Sequence, residues 1–259
     1  MFFLNVFLVI YWVYVMSRIA AFIISLLVSI HTFSAEKVYL TSLEWPPYAG
    51  RSLAEGGASV AVARAAFKAE GYDLVIDFLP WSRAVNEAKD ASSKYLGYFP
   101  EYYSEEIKKE FVFSNEIGSG PLGFVENKNS IVKWDSIESL SAHIIGVVQD
   151  YVNTQEFDAR VASGDQKVQA VTSDTINIRK VLGGRIPLAV IDSNVFEYIL
   201  KTEPSLKGAS VKVQMNAKLL EDKKLFICFK KTAEGQKMAD IFNRGLGKID
   251  VNQIMNRFL

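Results

Sequence analysis

Cysteine and histidine are nearly missing from this chain. Cys228 is the one cysteine, so no intrachain disulfide can form and no thiolate zinc site can be assembled. His31 and His143 are the two histidines, which leaves little for imidazole metal or acid–base chemistry. Net charge is missing as well, because 29 Lys+Arg offset 29 Asp+Glu. That balance argues against a nucleic-acid partner, since such binders carry a basic domain or stripe. The sequence has no Gly-x-Ser-x-Gly elbow, no Walker A loop and no metal-ligand spacing. Gly118-Ser119-Gly120 is too short to cradle a phosphate and reads as a turn leading into a hinge.

Apolar side chains are in excess. They make up 49% of 259 residues, and they crowd at the N-terminus, where residues 1–35 carry the single charge Arg18. Met16-Ser17-Arg18, the apolar run Ile19 to Ile30, and the small residues around Thr32-Phe33-Ser34-Ala35 follow the layout of a secretory signal. Such a signal does not need Phe2 to Val15, so Met16 reads as the true start. The rival reading is an uncleaved anchor, because about thirty apolar residues suffice to cross a bilayer of ~30 Å. No cysteine follows the apolar core, which excludes lipid attachment at a mature N-terminal cysteine. Cleavage predicts a periplasmic protein of residues 36–259, with 28 basic and 29 acidic side chains and a net charge of −1. In that oxidising compartment it would be held by its cores alone, for which its length is ample.

From Glu36 onward strand and helix patterns alternate. Val38–Ser42, Leu74–Phe78, Leu96–Phe99 and Phe111–Phe113 read as strands. Gly57–Glu70 reads as a helix with Val60, Ala63 and Phe67 on one face, and a second helix runs from Ser82, as N-cap, to about Lys89. A second α/β unit begins after Gly120-Pro121-Leu122-Gly123-Phe124-Val125. Its strands are Ile144–Val148, Lys167–Val171 and the continuously apolar Leu188–Ile191. Its helices start near Asn153 and at Ser173 or Asp174. Strands Val211–Met215 and Leu225–Phe229 follow, and helices Ala233–Arg244 and Val251–Phe258 close the chain. Two α/β units with a late return predict an α/β protein of two lobes, each a mostly parallel sheet flanked by helices, with a ligand cleft at the strand ends.

The ordered segments resemble the bacterial extracellular solute-binding proteins of family 3, the periplasmic receptors of polar amino acid ABC transporters. The resemblance runs from the aromatic-proline turn Leu43-Glu44-Trp45-Pro46-Pro47-Tyr48 through Pro80-Trp81-Ser82-Arg83-Ala84, Phe113-Ser114-Asn115, Ser136–Leu140 and Ile145–Gln149. It ends most sharply on Gly184-Arg185-Ile186-Pro187-Leu188-Ala189-Val190-Ile191-Asp192. It implies a type II-like two-lobed fold, with residues 36–122 plus 225–259 as one lobe and 123–224 as the other. It further implies binding without catalysis or a cofactor: a monomer closes on a small polar solute by a hinge and presents it to an ABC permease. Two other roles occur on this fold. One is a sensory module working with a membrane receptor, and the other is an enzyme such as a dehydratase or a lytic-enzyme module.

The resemblance also marks departures. Where the family places an arginine for the ligand carboxylate, this chain has Ile107 beside Lys108, and isoleucine cannot supply that planar fork. Arg83 is the candidate replacement, against a surface helix residue. Asp192 is expected to pair a ligand amine or to cap the following helix. Trp45, Tyr48 and Trp81 stack on a planar or cationic ligand or fill the core. Tyr98, Glu101 and Tyr102 form a polar aromatic group where the family binds ligand. Gln149, Asp150 and Tyr151 precede a helix whose free N–H groups suit an anion, with Asp150 alternatively its cap. His143 reads as structural or surface, and Cys228 as a buried small hydrophobe.

Overall fold

The computed structural model describes residues 12–18 and 35–259. The chain divides into two compact units, Met1–Ala35 and Glu36–Leu259. Residues 12–18 are helical. The expected apolar signal core Ile19–Ile30, His31 and the stretch Thr32–Ser34 lie outside the described residues. Among the described residues, no helix is long and apolar enough to cross a membrane, and no group of His, Cys, Asp and Glu is placed to hold a metal ion.

In the second unit the chain runs β1 (Glu36–Ser42), α1 (Ala58–Ala69), β2 (Tyr72–Phe78), α2 (Trp81–Lys89), β3 (Gly97–Tyr102), α3 (Glu105–Glu110) and β4 (Phe111–Phe113). It continues through β5 (Gly118–Asn127), β6 (Ile145–Val148), α4 (Gln155–Ser163), β7 (Val168–Val171), α5 (Asp174–Leu182), β8 (Leu188–Asp192), α6 (Ser193–Thr202) and β9 (Val213–Met215). The long β10 (Glu221–Lys230) then returns, followed by α7 (Ala233–Leu246) and α8 (Val251–Met255).

The strands form one sheet in the order β2-β1-β3-β10-β5-β8-β6-β7, with β4 on β10 and β9 on β5. Pairing is parallel toward both ends, β1 with β2 and β3, and β6 with β7 and β8. It is antiparallel in the middle, where β10 pairs β3, β4 and β5, and β5 pairs β8. The sheet is therefore two α/β wings joined by the β10–β5 ladder, with Glu221–Leu225 opposite Gly118–Leu122. That ladder corrects one expectation: Gly118-Ser119-Gly120 is strand, because its backbone pairs with Leu225, Lys224 and Lys223.

The apolar periodicity of α1 becomes its buried face. Val60, Ala63 and Phe67 are inaccessible, and Gly71, at φ 84°, ends the turn beyond the helix in a conformation only glycine takes freely. Phe67 packs against Phe229 of β10 and Phe242 of α7, with ring centres 6.5 and 4.9 Å away. The run Leu188–Asp192 is buried at every position, as its place between β5 and β6 requires. A second, smaller cluster joins Ala88, Tyr98, Phe111 and Cys228, which makes Cys228 the buried hydrophobe expected of it. Other boundaries move. Ser136–Leu140 leads into a 3₁₀ helix over Ile137–Ala142, and Ala209–Val211 forms another, so β9 starts only at Val213.

Candidate functional site

The loops that leave the two wings at β1, β2, β3, β6, β7 and β8 face one another across a cleft. Tyr48, in the turn after β1, is fully buried, and its hydroxyl lies 3.2 and 3.1 Å from the two carboxylate oxygens of Asp192 at the end of β8. Asp192 also caps α6, its Oδ1 accepting from the backbone N–H of Asn194 and Val195 at 2.8 and 3.2 Å. Asp192 is therefore the helix cap, and the same carboxylate also reaches across the cleft to Tyr48. The Asn194 amide donates to the Tyr48 hydroxyl at 2.9 Å, and Tyr102 reaches Asp192 Oδ2 at 3.5 Å.

Glycine makes this approach feasible. A Cβ on Gly120 would stand 2.0 Å from Asp192 Oδ2 and 2.2 Å from the Tyr48 hydroxyl. A second bridge lies at the mouth. The Trp81 ring N–H donates to the Asp150 carbonyl at 3.0 Å, and the Ser82 hydroxyl donates to the Asp150 carboxylate. Ser82 is therefore inside α2 rather than its N-cap, a position taken by Pro80 with no side-chain bond. Asp150 is not a helix cap either. It turns at φ 62°, and α4 is capped by Thr154.

Aromatic rings wall the cleft. Trp45 and Tyr48 stack with centres 4.6 Å apart, Tyr102 meets Trp45 edge-on at 6.0 Å, and Trp81 meets Tyr151 edge-on at 5.9 Å. Between them, a void of about 20 Å³ is lined by Trp45, Trp81, Glu101, Tyr102 and Tyr151, room for about one water. A larger cavity of about 590 Å³ opens beside it, reached by Trp45, Trp81, Gln149, Tyr151, Ser173 and Asp174.

Three carboxyl groups are buried here. Glu101 is 4% exposed, accepts from the Tyr98 hydroxyl at 3.1 Å and from the Tyr102 amide at 2.8 Å, and titrates at about 8. Burial drives that rise, and the two hydrogen bonds and Lys223 oppose it. Asp174 is raised to about 7, first by burial and then by the charge of Asp192. Asp192 itself rises to about 6 through burial, held down by its amide and tyrosine donors. None of the three makes a salt bridge among the described residues.

Of the predicted site residues, Trp45, Tyr48, Trp81, Glu101, Tyr102, Gln149, Asp150, Tyr151 and Asp192 meet at this cleft. Tyr98 stands one layer behind, fully buried against Phe111 and bonded to Glu101. Arg83 is a correction. Its side chain is 67% exposed and turns along α2 to Glu87, so it clamps nothing in the cleft. Ile107 packs against the Tyr98 cluster, and Lys108 and Lys109 face Tyr103 and Glu106. The expected anion site ahead of α4 is already occupied by protein, because Asp158 accepts from the Asn153 amide and Thr154 from the Phe157 amide. His143 is half-buried, its carbonyl accepting from Gln166.

In the sequence Asp174 reads only as a candidate helix start. Its signal was its place: it follows β7 as Asp192 follows β8, and strand ends are where α/β sheets bind. Lys223 gave less warning, since Glu221-Asp222-Lys223-Lys224 reads as a solvated charge run, yet Lys223 is 5% exposed.

No protein-family model matches the sequence, and no curated protein is similar to it in sequence. Solved structures are similar in fold. A histidine kinase sensor domain with similarity to periplasmic binding proteins superposes with a TM-score of 0.72 at 15% identity, over 86% of this chain and 96% of its own. An amino acid ABC transporter substrate-binding protein from Streptococcus pneumoniae, bound to L-arginine, gives 0.67 at 13% identity over 86% and 94%. An ancestral amino-acid-binding protein, a precursor of cyclohexadienyl dehydratase, gives 0.63 at 16% identity over 86% and 92%. The chain has the two-lobed α/β fold of the periplasmic binding proteins, which is the fold of solute-binding family 3.

Proposed function

We propose that this protein is an exported receptor that captures a small polar solute between its two lobes and hands it, as a monomer, to an ABC permease. We take residues 36–122 with 225–259 as the first lobe and 123–224 as the second, and residues 1–35, with Met16 as a candidate start, as a signal peptide removed on the way to the periplasm. The observation that carries the reading is the cleft itself, where polar contacts from Tyr48 to Asp192 and from Trp81 and Ser82 to Asp150 bridge the two wings. Contacts of this kind can be exchanged for a ligand at little net cost, because each buried group finds a new partner as the old one leaves. The S. pneumoniae receptor of similar fold supports the transport role.

An enzymatic reading draws on the carboxyls of Glu101 and Asp174, whose titration near neutrality suits acid–base work. A sensory reading shares the same capture step and is supported by the sensor domain of similar fold. The test is a melting screen of the purified protein against amino acids, polyamines, organic acids and sugars, followed by mass analysis of the solute. A hundredfold excess of a true ligand over its dissociation constant adds about 2.7 kcal/mol of stability. Recovery of the solute intact is expected. Its conversion to another compound would refute the receptor reading.

A further inference from the structure

The cleft's charge census points to one class of ligand. Asp174 lines the 590 Å³ cavity while being only 8% exposed, and among the described residues no cation pairs with it; the Trp45 side chain and its own backbone amide offset its burial. The charge of Asp192 adds to the burial that raises Asp174, and Glu101 lines the adjoining void. Against these carboxyls, among the described residues, stand two basic groups, both already committed. Arg51, on the cavity wall, donates Nε to Glu44 at 2.9 Å and Nη2 to the Phe78 carbonyl at 2.9 Å. Lys223 sits over the Tyr102 ring with Nζ 5.4 Å from its centre and pairs with Glu221 at 3.6 Å. A ligand carboxylate brought into this cavity would meet uncompensated acids and find no free planar fork. A ligand cation would meet an unpaired carboxylate and the electron-rich faces of Trp45, Trp81 and Tyr151.

We propose that the cleft takes an organic cation that carries no carboxylate, an alkyl amine or guanidine, with its charge on Asp174 and its carbon chain between Trp45, Trp81 and Tyr151. This rests on the receptor reading above and narrows it. Asp174 is the determinant, because it alone of the three carboxyls faces the larger cavity without a hydrogen-bonding tyrosine of its own. Trp81, half-buried and tied to Asp150 across the mouth, closes over the bound chain.

The experiment uses two pairs of probes, agmatine against arginine and cadaverine against lysine, each pair differing by one carboxylate. Calorimetric titration at about pH 8 keeps Asp174 and Asp192 mostly ionised. Each amine is expected to bind at least about tenfold more tightly than its parent amino acid, a difference of ~1.4 kcal/mol. Asp174→Asn should lower amine affinity by about tenfold or more while leaving the free protein at least as heat-stable, since it removes an unpaired buried carboxyl without changing side-chain volume. Stability retained with affinity lost is a result that a merely structural aspartate would not give. Arginine or lysine binding as tightly as its amine would overturn the inference and leave the receptor reading standing. So would an amine affinity untouched by D174N, or no amine binding at millimolar concentration. Turnover of a solute would instead sink the receptor reading.

Discussion

Replacing Gly120 with alanine tests the closed cleft at its tightest point. The added methyl would lie 2.0 Å from Asp192 Oδ2, 2.2 Å from the Tyr48 hydroxyl and 3.1 Å from Asp192 Cγ, all well inside van der Waals contact. Asp192 has little room to yield, because its Oδ1 is fixed by two amides of α6. Gly120 is held in the β10–β5 ladder opposite Lys223. Tyr48 must therefore withdraw and the two wings must part. Losing a hydrogen bond to a carboxylate costs about 1.5–3 kcal/mol, and overpacking adds about 1–3 kcal/mol where relaxation is incomplete. A net loss of roughly 3 kcal/mol, at about 2–4 °C per kcal/mol for a domain of this size, lowers Tm by roughly 6–12 °C. Scanning calorimetry reads that shift, and small-angle scattering should show a larger radius of gyration as the cleft opens. The partner experiment is Tyr48→Phe. Alone it should cost about 1.5–3 kcal/mol, but in the Gly120→Ala background little or nothing, because the contact is already broken. Unchanged melting and scattering for G120A, or additive losses in the double variant, would refute the coupling of these three residues.

The pH profile should run against the usual acidic-site pattern. Glu101, Asp174 and Asp192 are raised to about 8, 7 and 6, so the folded protein binds more protons than the unfolded chain between about pH 4 and pH 8. Their contribution is fully present near pH 4 and is lost as pH rises through their folded values. For Asp192 alone, moved from 3.8 to about 6, the loss is about 3 kcal/mol at roughly 1.4 kcal/mol per unit. The lowered carboxyls of Asp77 and Asp90 act in the opposite sense, on acidification below the ordinary carboxylate range. Melting temperature should fall between about pH 5 and pH 8, and Asp174→Asn should flatten that fall; a steady rise with pH would contradict the buried acids. At the mouth, Asp150→Gly should be more stable than Asp150→Ala by about 1 kcal/mol, since both lose the Ser82 bond but only alanine resists φ 62°. Equal melting of the two would show that this turn relaxes freely. In the core, Phe67→Ala should cost about 3–5 kcal/mol, because the ring is inaccessible and touches both Phe229 and Phe242. Denaturant unfolding measures the loss, and a change below about 1 kcal/mol would mean the site collapses around the gap.

Much of the fold was legible because its signals are local. The buried stripe Val60, Ala63 and Phe67 and the apolar run Leu188–Ile191 each announce one element and one buried face. The β10–β5 ladder was not, since Gly118-Ser119-Gly120 carries turn residues and only pairing with a strand a hundred positions away makes it extended. The candidate site divided along the same line. Trp45, Tyr48, Trp81 and Asp192 stand in recognisable turns and strand ends, and they meet in space. Arg83 failed because a helix start fixes a residue's position but not its direction, and Glu87 one turn on offers a nearer partner than any group in the cleft. Asp174 and Gly120 were hidden for a different reason. The burial of one and the closeness of the other belong to the tertiary arrangement and leave no periodic trace in sequence.

At the centre of this picture is a solute held against Asp174 and the aromatic walls, with Asp192 closing the cleft through Tyr48. Its most direct test is the affinity of an Asp192→Ala and an Asp174→Ala variant for the solute that gives the largest melting shift, with folding checked by circular dichroism. A loss of about tenfold or more is expected in each, equal to ~1.4 kcal/mol, while Arg83→Ala binds like the unaltered protein. Undiminished affinity in both aspartate variants, or a loss confined to R83A, would contradict it.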